Sequence, residues 1–154
     1  MKTYDRIFGA GPRGFFISLI ALAVAWKLEP LVGLPIVCSD VLIRWSMFFI
    51  ALIATLLLAI WGFWSLPPAT RGKELVTTGA FRYFRHPLYA AFLLFFNFGL
   101  AILLNNWIYI FWAVALHGIW HLNIIKEEKL MKQEFPKEYT EYCTKTGRFA
   151  PRLW

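Results

Sequence analysis

The sequence predicts an all-α, polytopic transmembrane helical bundle of about four spans, followed by a cytoplasmic amphipathic helix at the C-terminus. Of the 154 residues, 59% are hydrophobic, and the 16 basic and 9 acidic residues are segregated along the chain. Residues 88–125 contain no charged side chain over 38 positions, and residues 45–66 contain none over 22. A helix needs roughly 20 apolar residues to cross the hydrocarbon core. Helices also satisfy their own backbone hydrogen bonds there, so these uncharged segments predict a membrane protein.

The first span, at about 14–36, has the weakest pattern of the four. Lys27, Glu29 and Pro30 interrupt its apolar run. We expect either that these charged side chains reach outward to the interface, or that the helix tilts or ends early.

The remaining spans are predicted at about 41–66, 88–104 and 107–125. Trp61 and Trp64 near the end of the second span are typical interface anchors. Asn105 and Asn106 predict a tight, uncharged turn between the third and fourth spans. The whole chain, residues 1–154, is therefore interpreted as one membrane-embedded domain with a polar loop at 67–87 and a charged tail at 126–154.

The distribution of positive charge predicts the orientation in the membrane. Most Lys and Arg residues fall in three blocks, at residues 2–13, 71–85 and 126–152. Four spans place all three blocks on one side, and basic residues collect on the cytoplasmic side. We therefore expect a multi-pass protein with both termini in the cytoplasm, in the inner membrane if the source is bacterial. The net charge of +7 then reflects topology and attraction to membrane lipids rather than nucleic-acid binding.

The loop before the third span carries more functional side chains than a connection needs. Arg85, His86 and Tyr89 surround Pro87, which suits the first turn of a helix. The backbone N–H groups of that turn provide a place for an anion or carboxylate near His86. The alternative interpretation is an interfacial anchor, with arginine on lipid phosphates and tyrosine in the headgroup region.

An acidic pair, Glu127 and Glu128, follows the fourth span directly. Acidic residues are common at the start of a helix, where they interact with its positive end. Because the third and fourth spans form a hairpin, His86, Tyr89 and Glu127 must emerge at the same membrane face. A basic and aromatic group opposite an acidic one suits a zwitterionic ligand.

His117 and His121 lie four residues apart in the fourth span. Such a pair can bind a metal, but the chain has only one other histidine, His86. We therefore predict no metal site and interpret the pair as lining a cavity or packing against a neighbouring helix.

Two ordered motifs in the C-terminal half resemble a known family. The run KELVTTGAFRYFRHPLY at residues 73–89 resembles the RHPxY region of isoprenylcysteine carboxyl methyltransferases and related phospholipid methyltransferases. The tail shows the matching elements in order, namely Glu127, Glu128, Leu130, Phe135, Tyr139, Tyr142 and the closing RFAP at residues 148–151. Two motifs separated by a helical hairpin are more specific than either alone.

The resemblance implies an integral membrane methyltransferase that uses S-adenosylmethionine and acts on a lipidic or small hydrophobic acceptor. It implies cofactor contacts at Lys73, Glu74, Leu75, Val76, Phe81, His86, Pro87, Leu88, Tyr89 and Glu127. Arg85 or the helix start near His86 is expected to hold the cofactor's carboxylate, and Glu127 its ammonium. We expect catalytic roles for His86, Tyr89 and Glu127.

Two further residues are expected to contact the acceptor. Asn123 stands one turn before the glutamate pair, where the prenylcysteine enzymes carry a substrate-binding arginine, and Arg148 lies in the closing motif. The acceptor itself, and whether oxygen, nitrogen or sulfur is methylated, stays open. Two other classes remain as alternatives: a glutathione-handling four-helix membrane enzyme and a non-catalytic membrane scaffold subunit.

Overall fold

A computed structural model describes residues 9–67 and 74–152, and its regular structure is helical throughout these residues. Four of its helical segments are long and apolar enough to cross a membrane. These are Gly11–Val32 (α1), Val41–Trp64 (α2), Pro87–Leu104 (α3) and Trp107–Glu134, which comprises α4 (Trp107–Asn123) and α5 (Ile125–Glu134). The predicted all-α fold with four candidate membrane-spanning helices is confirmed.

Helix α1 runs without a break past the charged residues that interrupt its apolar sequence. It includes Pro30 and ends at Gly33, whose φ of 64° is left-handed. Glu29 accepts a hydrogen bond of 2.6 Å from the Tyr109 hydroxyl of α4, and Lys27 lies over the Trp26 ring at 4.9 Å. These contacts give both charged side chains a partner, so the helix continues past them. It begins three residues and ends four residues earlier than the predicted 14–36.

Helix α2 begins at a side-chain cap. Oδ1 of Asp40 accepts hydrogen bonds from the backbone N–H groups of Leu42 and Ile43 at 2.8 and 3.1 Å. The Asp40 carboxylate therefore satisfies two of the first-turn donors that a helix leaves without partners. The helix ends at Trp64, and Ser65 follows it as the C-cap.

Helices α3 and α4 form a hairpin whose turn consists of Asn105 and Asn106. Asn105 adopts a left-handed conformation with φ of 62°, and Asn106 caps α4 by accepting a hydrogen bond of 2.9 Å from the N–H of Ile108. Both features are typical of asparagine, whose short polar side chain tolerates positive φ and caps helices well.

The order of packing places the α3–α4 hairpin between the first two helices. Helix α1 packs against α4, α2 packs against α3, and α3 packs against α4. Glycines allow close approach at these interfaces, as at Gly99 of α3 against Ala51 of α2. Small residues at helix contacts are typical of membrane bundles.

Beyond Asn123 the chain changes from apolar to charged and turns back on itself. Helix α5 carries Glu127 and Glu128 in its first turn, and Pro136 begins the next helix, α6 (Pro136–Lys145). Proline at the first position of a helix costs no hydrogen bond. The chain can therefore change direction at Phe135 and begin the next helix at once.

The end of the tail returns to the loop that precedes α3. Phe84 and Gly147 form a short parallel bridge, in which the N–H of Arg85 donates to the Gly147 carbonyl at 2.8 Å. The N–H of His86 donates to the Arg148 carbonyl at 3.2 Å. The backbone itself thus fixes the loop and the tail together at one end of the bundle.

Candidate active site

Glu127 lies where the ends of α1, α3 and α4 meet. Its Oε2 accepts a hydrogen bond of 3.0 Å from the N–H of Ala10 and a weaker one of 3.4 Å from the Tyr89 hydroxyl. Its Oε1 faces Nδ1 of His86 at 3.6 Å, which is beyond hydrogen-bond distance. With 29% of the side chain exposed, Glu127 presents one carboxylate oxygen that no described residue bonds.

His86 is held at the start of α3 by its backbone and by its ring. The ring is buried and stacks on Tyr89, with the centroids 5.5 Å apart and the planes inclined by 12°. Its Nε2 has no hydrogen-bond partner among the described residues, and lies 3.5 Å from Oε1 of Glu128. A buried nitrogen without a bond is costly unless a ligand or water completes it.

Aromatic rings pack against one another next to Glu127, whose carboxylate contacts the Tyr89 hydroxyl. The Tyr89 ring lies between His86 and Trp120, with its centroid 4.8 Å from that of Trp120, and Phe149 approaches His86 at 6.0 Å. Nε1 of Trp120 donates to the Ser18 hydroxyl of α1 at 3.0 Å, which fixes the indole. Apart from the Tyr89 hydroxyl, these contacts join the rings to one another rather than to Glu127. We call these five residues, His86, Tyr89, Trp120, Glu127 and Phe149, the Glu127 cluster.

Glu128 has a different environment from its neighbour. Its side chain is only 11% exposed and binds two guanidinium groups, Arg85 Nε at 2.9 Å and Arg148 Nη2 at 2.7 Å. Successive residues of a helix point about 100° apart, so Glu128 faces the tail while Glu127 faces α1 and α3. Glu128 thus joins the loop to the tail, whereas Glu127 remains partly exposed.

Arg85 connects the loop to the tail. In addition to Glu128, its guanidinium donates to the Thr146 carbonyl at 2.5 Å. The sequence predicted that either Arg85 or the start of α3 would hold a ligand carboxylate. Because the guanidinium already has these partners, the first-turn N–H groups of α3 are the stronger candidate of the two.

Asn123 lies one turn before Glu127 but faces the residues that precede α1. Its Nδ2 donates to the Ala10 carbonyl at 3.1 Å, and its Oδ1 is buried without a partner among the described residues. The side chain is 7% exposed. Asn123, predicted to bind the acceptor, is therefore engaged with the chain itself.

Other residues from the sequence prediction lie farther from the Glu127 cluster. No hydrogen bond or ion pair joins Glu74, Leu75 or Val76 to the cluster in the described ranges, and Lys73 lies outside those ranges. Pro87 is fully buried, and the absence of a side chain at Gly62 allows α2 to approach both it and Leu88. These two residues therefore face α2 rather than Glu127.

Phe81 is positioned by the tail. It lies in a short 3₁₀ helix (Gly79–Arg82), and its carbonyl accepts a hydrogen bond of 2.5 Å from the Tyr142 hydroxyl. Burial raises the pKa of the Tyr142 phenol above its ordinary value of 10.0. The phenol therefore stays protonated and remains a donor over the physiological range.

The two histidines of α4 contact the tail and α3. His121 packs edge-on against Phe149 at 4.9 Å, and its Nδ1 lies 3.1 Å from Nη1 of Arg148. His117 packs against Phe98 of α3 at 6.0 Å. Arg148, predicted to contact the acceptor, therefore joins Glu128 to His121.

Sequence reasoning missed three participants in the site. Trp120 was one of several tryptophans in an apolar span, and Phe149 was quoted only as part of the closing motif, so neither was assigned to the cluster. Ala10 contributes through its backbone N–H and carbonyl. A backbone contact has no residue-type signal, so no pattern in the sequence points to it.

Comparison with known proteins supports the resemblance seen in the sequence. The family model described as phospholipid methyltransferase matches residues 30–138, which cover most of the chain and include α2, α3, α4 and Glu127. No curated protein matches the chain significantly. The four apolar helices and the family together indicate an integral membrane protein of a methyltransferase family. The chain belongs to the phospholipid methyltransferase family.

Proposed function

We propose that this protein transfers a methyl group from S-adenosylmethionine to a lipidic or small hydrophobic acceptor at the Glu127 cluster. The observation that carries this proposal is the partly open carboxylate of Glu127, which lies at one end of the bundle beside the packed rings of His86, Tyr89 and Trp120. The family match favours methyl transfer over the glutathione-handling and scaffold alternatives.

The residues of the cluster suit the positive groups of this cofactor. The molecule carries an ammonium and a sulfonium, and Oε1 of Glu127 has an acceptor site that no described residue fills. The Tyr89 hydroxyl contacts that carboxylate, and the Tyr89 ring packs against His86 and Trp120. A cationic group would therefore bind this site mainly through the carboxylate of Glu127.

The start of α3 suits the negative group. Its first-turn N–H groups follow His86, and the positive end of the helix dipole favours a carboxylate there. Opposite charges would thus be bound at opposite sides of one small site.

When bound, S-adenosylmethionine supplies an electrophilic methyl carbon, whose bond to sulfur breaks as a lone pair of the acceptor attacks it. The protein's main contribution is then alignment, which can be worth roughly 7–11 kcal/mol. Tyr89 and Glu127 orient one another through their hydrogen bond. His86 is the nearest base for an amine acceptor, which must release a proton; a thiolate or carboxylate acceptor needs none.

The acceptor is assigned to the bilayer and the cofactor to the aqueous side. Glu127 lies beyond the apolar part of the fourth span, whereas α1 and α2 expose large apolar side chains over most of their length. We assign this end of the bundle to the cytoplasm, since the basic loop and tail lie there.

Binding of the cofactor is the first test. Calorimetry on detergent-purified protein is expected to show saturable binding of S-adenosylmethionine and of S-adenosylhomocysteine. Glu127→Gln keeps the shape of the side chain but removes its charge, so it should weaken binding. Glu141→Gln is the matched control, because Glu141 is exposed and its ion-pair partner among the described residues is Lys145. Absence of binding by the unaltered protein would refute the proposal.

Identification of the acceptor needs a separate experiment. Membranes containing the protein would be incubated with methyl-labelled S-adenosylmethionine and separated into lipid, protein and volatile fractions. Label in the lipid fraction that depends on Glu127 is the expected result. If glutathione lowers the labelling and S-adenosylhomocysteine does not, the result would favour the glutathione-handling alternative instead.

A further inference from the structure

The start of α1 and the two residues before it form part of the Glu127 site. The backbone of residues 9–11, which we call the amino-terminal turn, contacts three site residues. The N–H of Ala10 donates to Oε2 of Glu127 at 3.0 Å, and the Ala10 carbonyl accepts from Nδ2 of Asn123 at 3.1 Å. A β-carbon at Gly11 would lie 3.6 Å from the Tyr89 hydroxyl.

The turn engages one carboxylate oxygen and leaves the other available. Ala10 and Tyr89 both donate to Oε2, whereas Oε1 receives no hydrogen bond from the described residues. A carboxylate has about four acceptor sites on its two oxygens. The amino-terminal turn can therefore hold Glu127 while a cationic ligand binds Oε1, so the turn supports the carboxylate rather than blocking it.

Two features of the sequence make this contact possible. Gly9 adopts a left-handed conformation with φ of 53°, and a β-carbon there would lie only 3.0 Å from Oε2 of Glu127. Gly14 allows α1 to lie directly on Trp120 and Asn123, where a β-carbon would be 2.5 and 2.7 Å from their side chains. Glycine at both positions lets the turn reach the carboxylate.

We propose that Asn123 and the amino-terminal turn are positioning elements, which fix the Glu127 carboxylate in the orientation that binds the cofactor's positive group. This inference rests on the proposed function. Asn123 acts through Ala10, and Ala10 acts on Glu127, so Asn123 itself contacts no ligand. Fixing the carboxylate before binding reduces the ordering cost that binding must otherwise overcome.

Asn106 provides a matched control for Asn123. At the opposite end of the fourth span, its Nδ2 donates to the Leu34 carbonyl at 3.0 Å and so holds the other end of the first-span segment. Asn123→Ala and Asn106→Ala should both lower the unfolding temperature. Only Asn123→Ala is expected to weaken binding of S-adenosylhomocysteine, roughly three- to tenfold by calorimetry, the value of one hydrogen bond.

Gly9 and Gly33 provide a second pair, which decides the matter if Asn123→Ala does not fold. Both glycines have positive φ, but a β-carbon at Gly33 meets no atom of the described residues within 4 Å, whereas one at Gly9 meets Glu127. Gly9→Ala and Gly33→Ala therefore introduce similar backbone strain. Only Gly9→Ala is expected to weaken binding.

The outcomes separate this inference from the function on which it rests. If the unaltered protein binds S-adenosylhomocysteine and both members of each pair bind it equally well, the positioning role is wrong and the proposed function stands. Tighter binding by Gly9→Ala or Asn123→Ala would show that the turn competes with the ligand, which also overturns the inference. If the unaltered protein binds neither cofactor form, both proposals fail.

Discussion

Nε of Arg85 lies 2.9 Å from Oε1 of Glu128, so the residue before His86 is joined to the residue after Glu127. His86 and Glu127 are thus the sequence neighbours of the two residues that form this ion pair. Because Glu128 also binds Arg148 at 2.7 Å, this pair fixes the loop, α5 and the tail around the site. The ion pair therefore helps to hold the segments that carry His86 and Glu127 together.

Removing the charge of Glu128 should destabilise the protein. Glu128→Gln removes the carboxylate charge that Arg85 and Arg148 share in a largely buried setting, and breaking a buried ion pair typically costs on the order of 3 kcal/mol. We expect a clear fall in the unfolding temperature measured in detergent. Glu141→Gln is the control, since that carboxylate is 69% exposed and its loss should leave the unfolding temperature nearly unchanged. Equal effects of the two substitutions would show that the Glu128 pairs are not stabilising.

The guanidinium of Arg85 should matter beyond its charge. Arg85→Lys keeps the positive charge but cannot donate to Glu128 and to the Thr146 carbonyl at once. We expect the tail to loosen and a protease specific for glutamate to cleave it several-fold faster at Glu138 and Glu141. Arg82→Lys in the same loop is the control, because Arg82 is exposed. An unchanged cleavage rate for Arg85→Lys would mean that the backbone bridge alone holds the tail.

The hairpin that brings the site together could be predicted from the sequence. Helical spans separated by a two-residue turn must be antiparallel, so His86, Tyr89 and Glu127 had to lie at the same end. The difference between Glu127 and Glu128 could not be predicted, because two adjacent acidic residues look alike in sequence. It arises from the angle between successive helical residues and from which groups the surrounding helices present.

The limits of the first span show a similar division. Hydropathy located the helix, but Lys27 and Glu29 made its course uncertain. The hydroxyl of Tyr109, 80 positions away, donates a hydrogen bond to the Glu29 carboxylate. Periodicity within one segment carries no information about such a distant partner. The contribution of Ala10 was hidden for a different reason, since a backbone N–H belongs to almost every residue type.

The close contact of α1 with α4 predicts a sharp response at Gly14. A β-carbon there would lie 2.5 Å from the Trp120 ring, so Gly14→Ala should displace α1 and cost about 1–3 kcal/mol of stability. Gly118→Ala in α4 is the control, because no atom in the described part of the chain lies within 4 Å of a β-carbon there. Unfolding in detergent should show a loss for Gly14→Ala alone. No difference between the two variants would contradict the observed packing of α1.

The hydrogen bond between Tyr142 and Phe81 predicts a pH-dependent difference in stability. Tyr142→Phe removes a donor to the Phe81 carbonyl and should cost about 1 kcal/mol at neutral pH. Burial raises the pKa of Tyr142 in the folded protein above the ordinary value of 10.0 that applies when it is unfolded. Its contribution is therefore fully present below pH 10 and is lost as the pH rises above it, because the unfolded state then gains by ionising.

The free energy of unfolding of both proteins, measured in detergent from pH 8 to about pH 11, tests this account. The advantage of the unaltered protein over Tyr142→Phe should shrink as the pH passes 10. Titration of lysines and of Tyr139 is common to both proteins, so it cancels in the difference. A difference that stays constant across this range would mean that the Tyr142 phenol ionises equally easily in the folded and unfolded states. The phenol would then not be a buried donor to the Phe81 carbonyl.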